Sequence, residues 1–422
     1  MADPATETFT DVVCAFCGLG CDDLSVEVTG RDVRAIGAGG GPLCPEAARL
    51  LRRRDVADPV PARAGEAVSF EAAAAQAHVL LREARAPVIA GLGVDMAGAG
   101  AVVDLAARFG GVLDHYASPG LFRNYAAAQR TGWLSVTLAE VRNRCDVLLV
   151  VGEDPTSQFG RLFERLYPEA PLFATGERRV IFLGGGPGDK ARGQLRGAQV
   201  SHLSADDVVA ALEAISGLLA GRTLSGEAYG GVPVADLAEA AAALKGATYA
   251  VVTWNAATLG GGDSAVGDLV ATRATAIVDA LNVTTRAGVF PLGGRDNIIG
   301  VNQLLLWRLG YPLRTAVRAG GSEHDSTLFA TDAALEDADL MVWVSALRPE
   351  PPPRFAGKVI ALAHPETVFE TAPDVFIPVG TPGVDHAGTV FRMDSIVSLP
   401  LGALRVATLP SVAEAVRCIA EG

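Results

Sequence analysis

The feature that most restricts the fold is a series of short apolar runs that end in glycine or acidic turns. Each run has the length of a strand and is apolar throughout, not at alternate positions. The runs are APVIAGLG (86–93), CDVLLVVGEDP (145–155), RVIFLGGG (179–186), ATYAVVTWN (247–255), ADLMVWVSA (338–346), KVIALAHP (358–365) and DVFIPVG (374–380). Alanine- and leucine-rich segments between them are good helix formers. Continuous apolar strands are expected when helices cover both faces of a parallel sheet, so the sequence predicts an α/β fold with mostly parallel sheets.

The first sixty residues differ from the rest of the chain in composition and in the pattern of apolar residues. A segment rich in cysteine and glycine is followed by two alternating runs, 24–28 and 33–36, which predict a β-hairpin. A Pro-rich stretch then predicts a linker. We therefore predict a small N-terminal cysteine-containing domain over residues 1–60 and two interleaved α/β domains over residues 61–422.

Charge and hydropathy argue against two classes of partner. The chain carries 35 Lys and Arg against 48 Asp and Glu, a net charge of −13, which disfavours binding to a phosphate backbone. The apolar stretch 86–103 is interrupted by Asp95 and several glycines, so it predicts a strand, a turn and a helix and not a membrane span. No basic and apolar leader opens the sequence. We expect a cytoplasmic protein that binds neither nucleic acid nor membrane and keeps its cysteines reduced.

Four of the six cysteines form a pattern: Cys14, Cys17, Cys21 and Cys44. Three thiolates within eight residues can surround one face of a metal centre, and the fourth arrives from the end of the hairpin unit. Four thiolates suit either a four-iron cluster or a structural zinc. The alternative is that these are ordinary buried thiols. Cys145 and Cys418 stand alone in apolar surroundings and are expected in the core.

These motifs resemble a known family. VCAFCGLGCDDLSVEVTG followed by GPLCPEA resembles the N-terminal iron–sulfur unit of molybdopterin-dependent oxidoreductases, and more narrowly the B subunit of formylmethanofuran dehydrogenase. The segments 137–155, 338–349 and 374–396 continue the resemblance in the family's order. The resemblance implies a molybdopterin-oxidoreductase-like fold. The C-terminal β-barrel of many members is expected to be missing, because little chain follows the last predicted strand.

Two departures change what this resemblance implies. In redox members, a cysteine or selenocysteine that binds molybdenum or tungsten precedes the segment that corresponds to TLAEV; here Gly120 is nearest to that position, with Ser118 close by. Relatives often place a basic residue just after the fourth cysteine, where this chain has Pro45 and Glu46. Glycine supplies neither the anchor nor the electronic tuning of a thiolate. No functional molybdopterin is therefore expected, and the four cysteines are expected to hold a [4Fe-4S] cluster or none.

The loss of the metal ligand is similar to what is known of one relative. The formyltransferase/hydrolase complex of methylotrophic bacteria contains a homologue of this subunit beside amidohydrolase-like, glutamate-synthase-like and formyltransferase subunits. That complex transfers a formyl group from tetrahydromethanopterin to a methanofuran-type carrier and releases formate, without electron transfer. The resemblance implies a non-catalytic scaffolding subunit in one-carbon oxidation. The alternative is an active dehydrogenase subunit with a molybdenum or tungsten pterin centre and a four-iron cluster.

Two further pairs of residues are candidates for binding sites. Gly152 and Asp154 end a strand where doubly wound sheets bind ligands, and the resemblance makes this a vestigial edge of a pterin-nucleotide site. Arg123 and Asn124 could bind a carboxylate of an acidic carrier tail through charge-assisted hydrogen bonds. Arginines also occur on ordinary solvated faces, where an exposed ion pair implies little.

Overall fold

The computed structural model describes residues 5–39, 41–54, 56–168, 170–174, 176–406 and 408–422. The chain divides into two compact units. Unit 1 consists of Met1–Ser118 and Gly294–Gly422, and unit 2 is the intervening Pro119–Gly293. The described residues of the predicted 1–60 domain lie within unit 1. The separate folding of that domain stays a prediction.

Unit 1 begins with a three-stranded antiparallel sheet. Its strands are Thr6–Val12, Leu24–Thr29 and Asp32–Ala38, in that order. The second and third strands form the predicted hairpin, and Leu24, Val26 and Val28 are buried on one face, as the alternating pattern requires. A short helix, Pro45–Leu51, follows Cys44 and has proline in its first turn.

A nine-stranded sheet forms the centre of unit 1. The strand order is Gly321–His324, Thr315–Arg318, Gly111–Leu113, Pro87–Gly93, Leu340–Ser345, Lys358–Ala363, Val375–Pro378, Ala62–Arg63 and Glu66–Ala67. The middle five strands are parallel and follow the chain order 2-1-3-4-5. This order reverses direction between Pro87–Gly93 and Leu340–Ser345, and doubly wound sheets bind ligands at such a switch point.

The remaining elements of unit 1 cover this sheet and its edges. A two-stranded hairpin joins Gly388–Phe391 to Ser398–Leu401. The helices are Phe70–Glu83, Met96–Phe109, Ile298–Leu309, Thr331–Glu336 and Val412–Glu421, with a 3-10 turn at Arg295–Asn297. The helix Ser118–Thr131 starts at the boundary with unit 2.

Unit 2 is built on a five-stranded sheet that is parallel throughout. The strand order is Gln199–Leu203, Arg179–Gly184, Val147–Gly152, Ala250–Asn255 and Ala287–Leu292. In chain order this is 3-2-1-4-5, so the switch point lies between Val147–Gly152 and Ala250–Asn255. The helices are Leu138–Arg144, Leu162–Leu166, Asp189–Gln194, Val208–Leu219, Val234–Gly246 and Ser264–Leu281; the smaller elements are the 3-10 turns Pro155–Ser157 and Leu259–Gly262 and the strand pair Ala228–Tyr229 and Val232–Pro233.

All seven predicted apolar runs are strands, and the mixed α/β class is confirmed. Every residue of Pro87–Gly93 and of Leu340–Ser345 is buried, because both faces of these central strands are covered. In the described part of the chain, no helix is both long enough and apolar enough to cross a bilayer.

Candidate functional site

The four predicted metal ligands lie in and just after the first sheet of unit 1. Cys14, Cys17 and Cys21 share one loop, here called the cysteine segment (residues 14–21), whose first N–H donates to the carbonyl of Cys21 at 2.7 Å. Gly18 and Gly20 take φ values of +84° and +62°, which glycine adopts without strain. Cys44 immediately precedes the helix Pro45–Leu51.

Main-chain contacts fasten the cysteine segment to other parts of unit 1. The N–H of Asp296 donates to Phe16 O at 2.8 Å, and the N–H of Met393 donates to Gly18 O at the same distance. A Cβ at position 18 would lie 2.8 Å from Gly294 O, so the two backbones touch at a point where no side chain fits. The segment is therefore positioned by amide hydrogen bonds and glycines.

The thiols of the cysteine segment are close enough to influence one another. Burial raises the pKa of Cys14, and the neighbouring Cys21 and Cys44 raise it further. Burial, Cys14 and Cys21 likewise raise the pKa of Cys17 well above its usual range. Without a metal, the thiols of Cys14 and Cys17 are therefore neutral at pH 7.

The donor set consists of four thiols, the type that binds either a four-iron cluster or a structural zinc ion. No group of three or more His, Cys, Asp or Glu among the described residues is arranged to hold a single metal ion. A four-iron cluster would be held by Cys14, Cys17, Cys21 and Cys44, and would supply one-electron transfer. The presence of a metal stays a prediction.

A buried ionic cluster occupies the switch point of unit 1. Asp296 is fully buried, and its carboxylate accepts hydrogen bonds from the Tyr116 hydroxyl and from Arg348 Nε. Arg348, which is 2% exposed, also donates from Nη1 to Glu46 Oε1 at 2.9 Å. Asp296 lies beside the end of the strand Pro87–Gly93, since a Cβ added to Gly93 would lie 3.5 Å from Asp296 Cβ. We call Asp296, Arg348, Tyr116 and Glu46 the Asp296 cluster.

Burial and nearby charge shift the pKa values of three groups in and beside the Asp296 cluster. Although burial opposes it, the carboxylate of Asp296 raises the pKa of Arg348. Burial lowers the pKa of His115, whose Nε2 lies 3.2 Å from Asp296 O, to about 4. Burial and the charge of Asp296 raise the pKa of Tyr116. The Asp296 cluster therefore lies at the crevice in which a doubly wound sheet would hold a ligand.

The position expected to bind molybdenum or tungsten offers no ligand. Gly120 lies in the first turn of the helix Ser118–Thr131, and a Cβ added there would stand 3.3 Å from the backbone N of Ala257. Ser118 is fully buried, and its hydroxyl accepts hydrogen bonds at 3.2 Å from the guanidinium of Arg314 within unit 1. The residues present therefore do not fit the metal of a redox pterin centre.

Gly152 and Asp154 lie at the switch point of unit 2, as the strand pattern predicts. Gly152 has a φ of +93°. Both carboxylate oxygens of Asp154 accept backbone N–H groups at 2.8 Å, one from Thr156 and one from Gly188. Asp154 thus joins the loops that follow two neighbouring strands. Its role at a nucleotide edge stays a prediction.

The same edge of unit 2 carries two polar residues that the sequence analysis did not identify. Asn255 ends the strand across the switch point, and its Nδ2 donates to Gln158 Oε1 at 3.1 Å. An asparagine that closes an apolar strand run was the signal in the sequence. These two amides lie at the edge where doubly wound sheets bind ligands.

Arg123 and Asn124 are engaged within unit 2. The side chain of Arg123 is 10% exposed; it bonds to Asp268 Oδ1 at 3.1 Å and to the carbonyl of Ala256. Asn124 Oδ1 accepts from Trp254 Nε1 at 2.9 Å. A carrier carboxylate would have to compete with Asp268 for Arg123. Carrier binding at this pair stays a prediction.

Two doubly wound α/β units, together with the cysteine segment and Cys44, define the structural class of this chain, and comparisons with known proteins identify relatives. No protein-family model matches. Over 337 residues the chain is 30% identical to the B subunit of the formyltransferase/hydrolase complex Fhc of Methylorubrum extorquens, covering 78% of this chain and 87% of the relative. It is also 27% identical to the B subunit of the tungsten-containing formylmethanofuran dehydrogenase 2 of Methanocaldococcus jannaschii, over 92% of this chain and 91% of the relative.

A solved structure gives the same result. The X-ray structure of the Methylorubrum extorquens formyltransferase/hydrolase complex with methylofuran contains a chain that matches with a TM-score of 0.72 and 27% identity. The match covers 86% of this chain and 98% of that one. The chain therefore belongs to the family that contains the B subunits of the Fhc complex and of formylmethanofuran dehydrogenase.

Proposed function

We propose that this chain is a non-redox, scaffolding B subunit of a formyltransferase/hydrolase complex. The observation that carries the proposal is the absence of a metal-ligating side chain at Gly120, in a sequence with no cysteine between Cys44 and Cys145. A scaffolding subunit needs the fold of the family but does not need the molybdenum or tungsten ion of its redox members. The complex would transfer a formyl group from tetrahydromethanopterin to a methanofuran-type carrier and release formate during one-carbon oxidation.

Two further observations support a role without electron transfer. Glu46 stands where redox relatives place a basic residue after the fourth cysteine, and it pairs with Arg348. The Asp296 cluster places buried side chains at the switch point of unit 1. In both places the charged side chains form internal ion pairs.

The proposal extends to the surroundings of the chain. Its partners would be amidohydrolase-like, glutamate-synthase-like and formyltransferase subunits, in the cytoplasm, with a carrier related to methylofuran nearby. The fold would be of the molybdopterin-oxidoreductase type without the C-terminal β-barrel. The four-cysteine site would hold a [4Fe-4S] cluster or remain without metal, and no molybdopterin would be bound.

The test is purification of the tagged chain from its own organism under native conditions. We expect an amidohydrolase and a formyltransferase to copurify, molybdenum and tungsten to be absent from elemental analysis, and viologen dyes not to be reduced with formate or a formylated carrier. Stoichiometric molybdenum or tungsten together with dye reduction would overturn the proposal in favour of an active dehydrogenase. Purification of the chain without either partner enzyme would contradict the scaffold role.

A further inference from the structure

A second polar site lies at the carboxyl edge of the sheet in unit 1, where three parallel strands end side by side. His364 follows the middle strand, Lys358–Ala363, and its N–H donates to Ser345 O at 2.7 Å. Thr381 follows the strand on one side and donates from Oγ1 to Ala346 O at 3.0 Å, just beyond the strand on the other side. His364 therefore lies between Ser345 and Thr381 at the edge where parallel sheets bind ligands.

His364 presents a hydrogen-bond donor that the protein does not use. Its Nδ1 accepts the N–H of Glu366 at 3.1 Å, so in the neutral ring Nε2 carries the hydrogen. His364 is 1% exposed, and Nε2 has no hydrogen-bond partner within the described residues. A buried donor without a partner costs about 1–3 kcal/mol, and native structures contain few of them.

Two other buried groups near His364 also lack partners in the described part of the chain. They are Thr367 Oγ1, three residues further along, and Arg53 Nε. Arg53 is held in place by its other nitrogens: Nη1 donates to the carbonyls of Leu50 and Arg52, and Nη2 donates to Thr381 Oγ1 at 2.6 Å. We call Arg53, His364 and Thr367 the His364 cluster.

The positive charge of the His364 cluster has no ion-pair partner among the described residues. Arg53 is almost fully buried and forms no ion pair with any described residue, and neither does the exposed Arg49. Burial and the charges of Arg53, Arg49 and Arg405 lower the pKa of His364 well below its usual range, so the ring is a neutral donor at pH 7.

The carboxylates in this neighbourhood compensate the burial of Arg53 only in part. Burial lowers the pKa of Arg53, and the charges of Asp385, Glu366 and Asp58 raise it by less. Asp385 bonds to Arg405 at 2.7 Å, and Asp58 pairs with Arg31. A water molecule could accept a hydrogen bond from His364, but it would leave the buried guanidinium without a directly paired anion, which is costly in a protein interior. An anion would supply both the acceptor and the charge.

We propose that the His364 cluster binds an oxyanion, either a phosphate or a carboxylate, which enters past Arg49. The oxygens of the anion accept from His364 Nε2, Arg53 Nε and the Thr367 hydroxyl. The site lies in unit 1 and is separate from the predicted carrier contacts of Arg123 and Asn124. The inference stands without the proposed scaffold function, because it depends only on these donors and charges.

Titration calorimetry at low ionic strength tests this site on the full chain, with inorganic phosphate and triglutamate as the two probes. We expect one binding site for at least one probe. Phosphate alone identifies a phosphate group as the ligand, triglutamate alone identifies a carboxylate chain, and binding of both identifies a general oxyanion site. No binding of either probe overturns the proposal.

Variants locate the binding on the chain. Arg49→Gln should weaken binding about fivefold to tenfold, the size of one charged contact, while Arg52→Gln removes the same charge from the same helix end and should leave the affinity unchanged. His364→Phe keeps the ring and removes the donor, and should weaken binding about tenfold. Equal weakening by Arg49→Gln and Arg52→Gln would mean non-specific attraction and overturn the proposal. If His364→Phe does not fold, the affinities of Arg49→Gln and Arg52→Gln still show whether the anion binds at this site.

Discussion

Replacing Arg348 by methionine should destabilise unit 1 by about 3–5 kcal/mol, the cost of removing one partner from a buried ion pair. Asp296 is fully buried and, among the described residues, would keep the Tyr116 hydroxyl as its one side-chain donor. Glu46 would also lose its bond from Arg348 Nη1. Methionine has nearly the length of the arginine stem, so the loss measures charge and hydrogen bonds more than packing.

The double variant Arg348→Met with Asp296→Asn separates charge from shape. Asparagine tolerates the left-handed φ of +49° at position 296 and carries no charge to be left unpaired. We expect it to recover at least about 2 kcal/mol of the loss, because the uncompensated carboxylate is the main cost.

Urea unfolding followed by tryptophan fluorescence measures these differences, since Trp343 lies in a buried strand of unit 1. The urea concentrations at the transition midpoints are compared only between variants whose transitions have the same dependence of free energy on urea. This condition is needed because the two units need not unfold in one step. Arg354→Met is the matched control: its side chain is 91% exposed and pairs with the exposed Glu370, so only a small effect is expected. Equal losses for Arg348→Met and Arg354→Met would refute the reasoning.

Two further predictions concern pH and the docking of the cysteine segment. His115 should contribute about 1.4 kcal/mol per pH unit to a fall in the free energy of unfolding as pH decreases from about 6.5 to about 4, because the unfolded chain takes up a proton that the buried ring excludes. His115→Gln should reduce this slope in urea titrations at pH 7, 6 and 5, and an unchanged slope would contradict the assignment. Gly18→Ala should lower the melting temperature by several degrees, because its Cβ would meet Gly294 O. Gly132→Ala, with a similar φ of +66° and no neighbour within 4 Å, should lower it less, and differential scanning fluorimetry compares the two.

The strands were predictable because their signal is local. A run such as 340–345 is apolar at nearly every position, and only a strand covered on both faces buries all of it. The hairpin was equally visible in the alternation of Leu24, Val26 and Val28. Patterns of this kind need no knowledge of distant residues.

The polar clusters were not predictable, because they join residues far apart in the chain. Asp296 and Arg348 are 52 positions apart, and nothing in GGRDN reveals a buried carboxylate in a left-handed turn. The boundaries of unit 2 were hidden for a related reason, although interleaved domains were expected. The first boundary falls at the start of the helix Ser118–Thr131, where the single Pro119–Gly120 pair resembles an ordinary turn.

Arg123 shows the limit of assigning a charged residue from sequence. A binding role and an exposed face were the two interpretations, and the side chain is instead largely buried against Asp268 and Ala256 O. Long side chains often bury much of their length in internal contacts that depend on tertiary packing.

Because amides and glycines fasten the loop that bears Cys14, Cys17 and Cys21, its attachment does not depend on sulfur. Substitution of those residues by serine or alanine would remove the thiols and leave these main-chain hydrogen bonds in place. The backbone that bears the cysteines can therefore keep its path even in relatives that have lost the sulfur atoms.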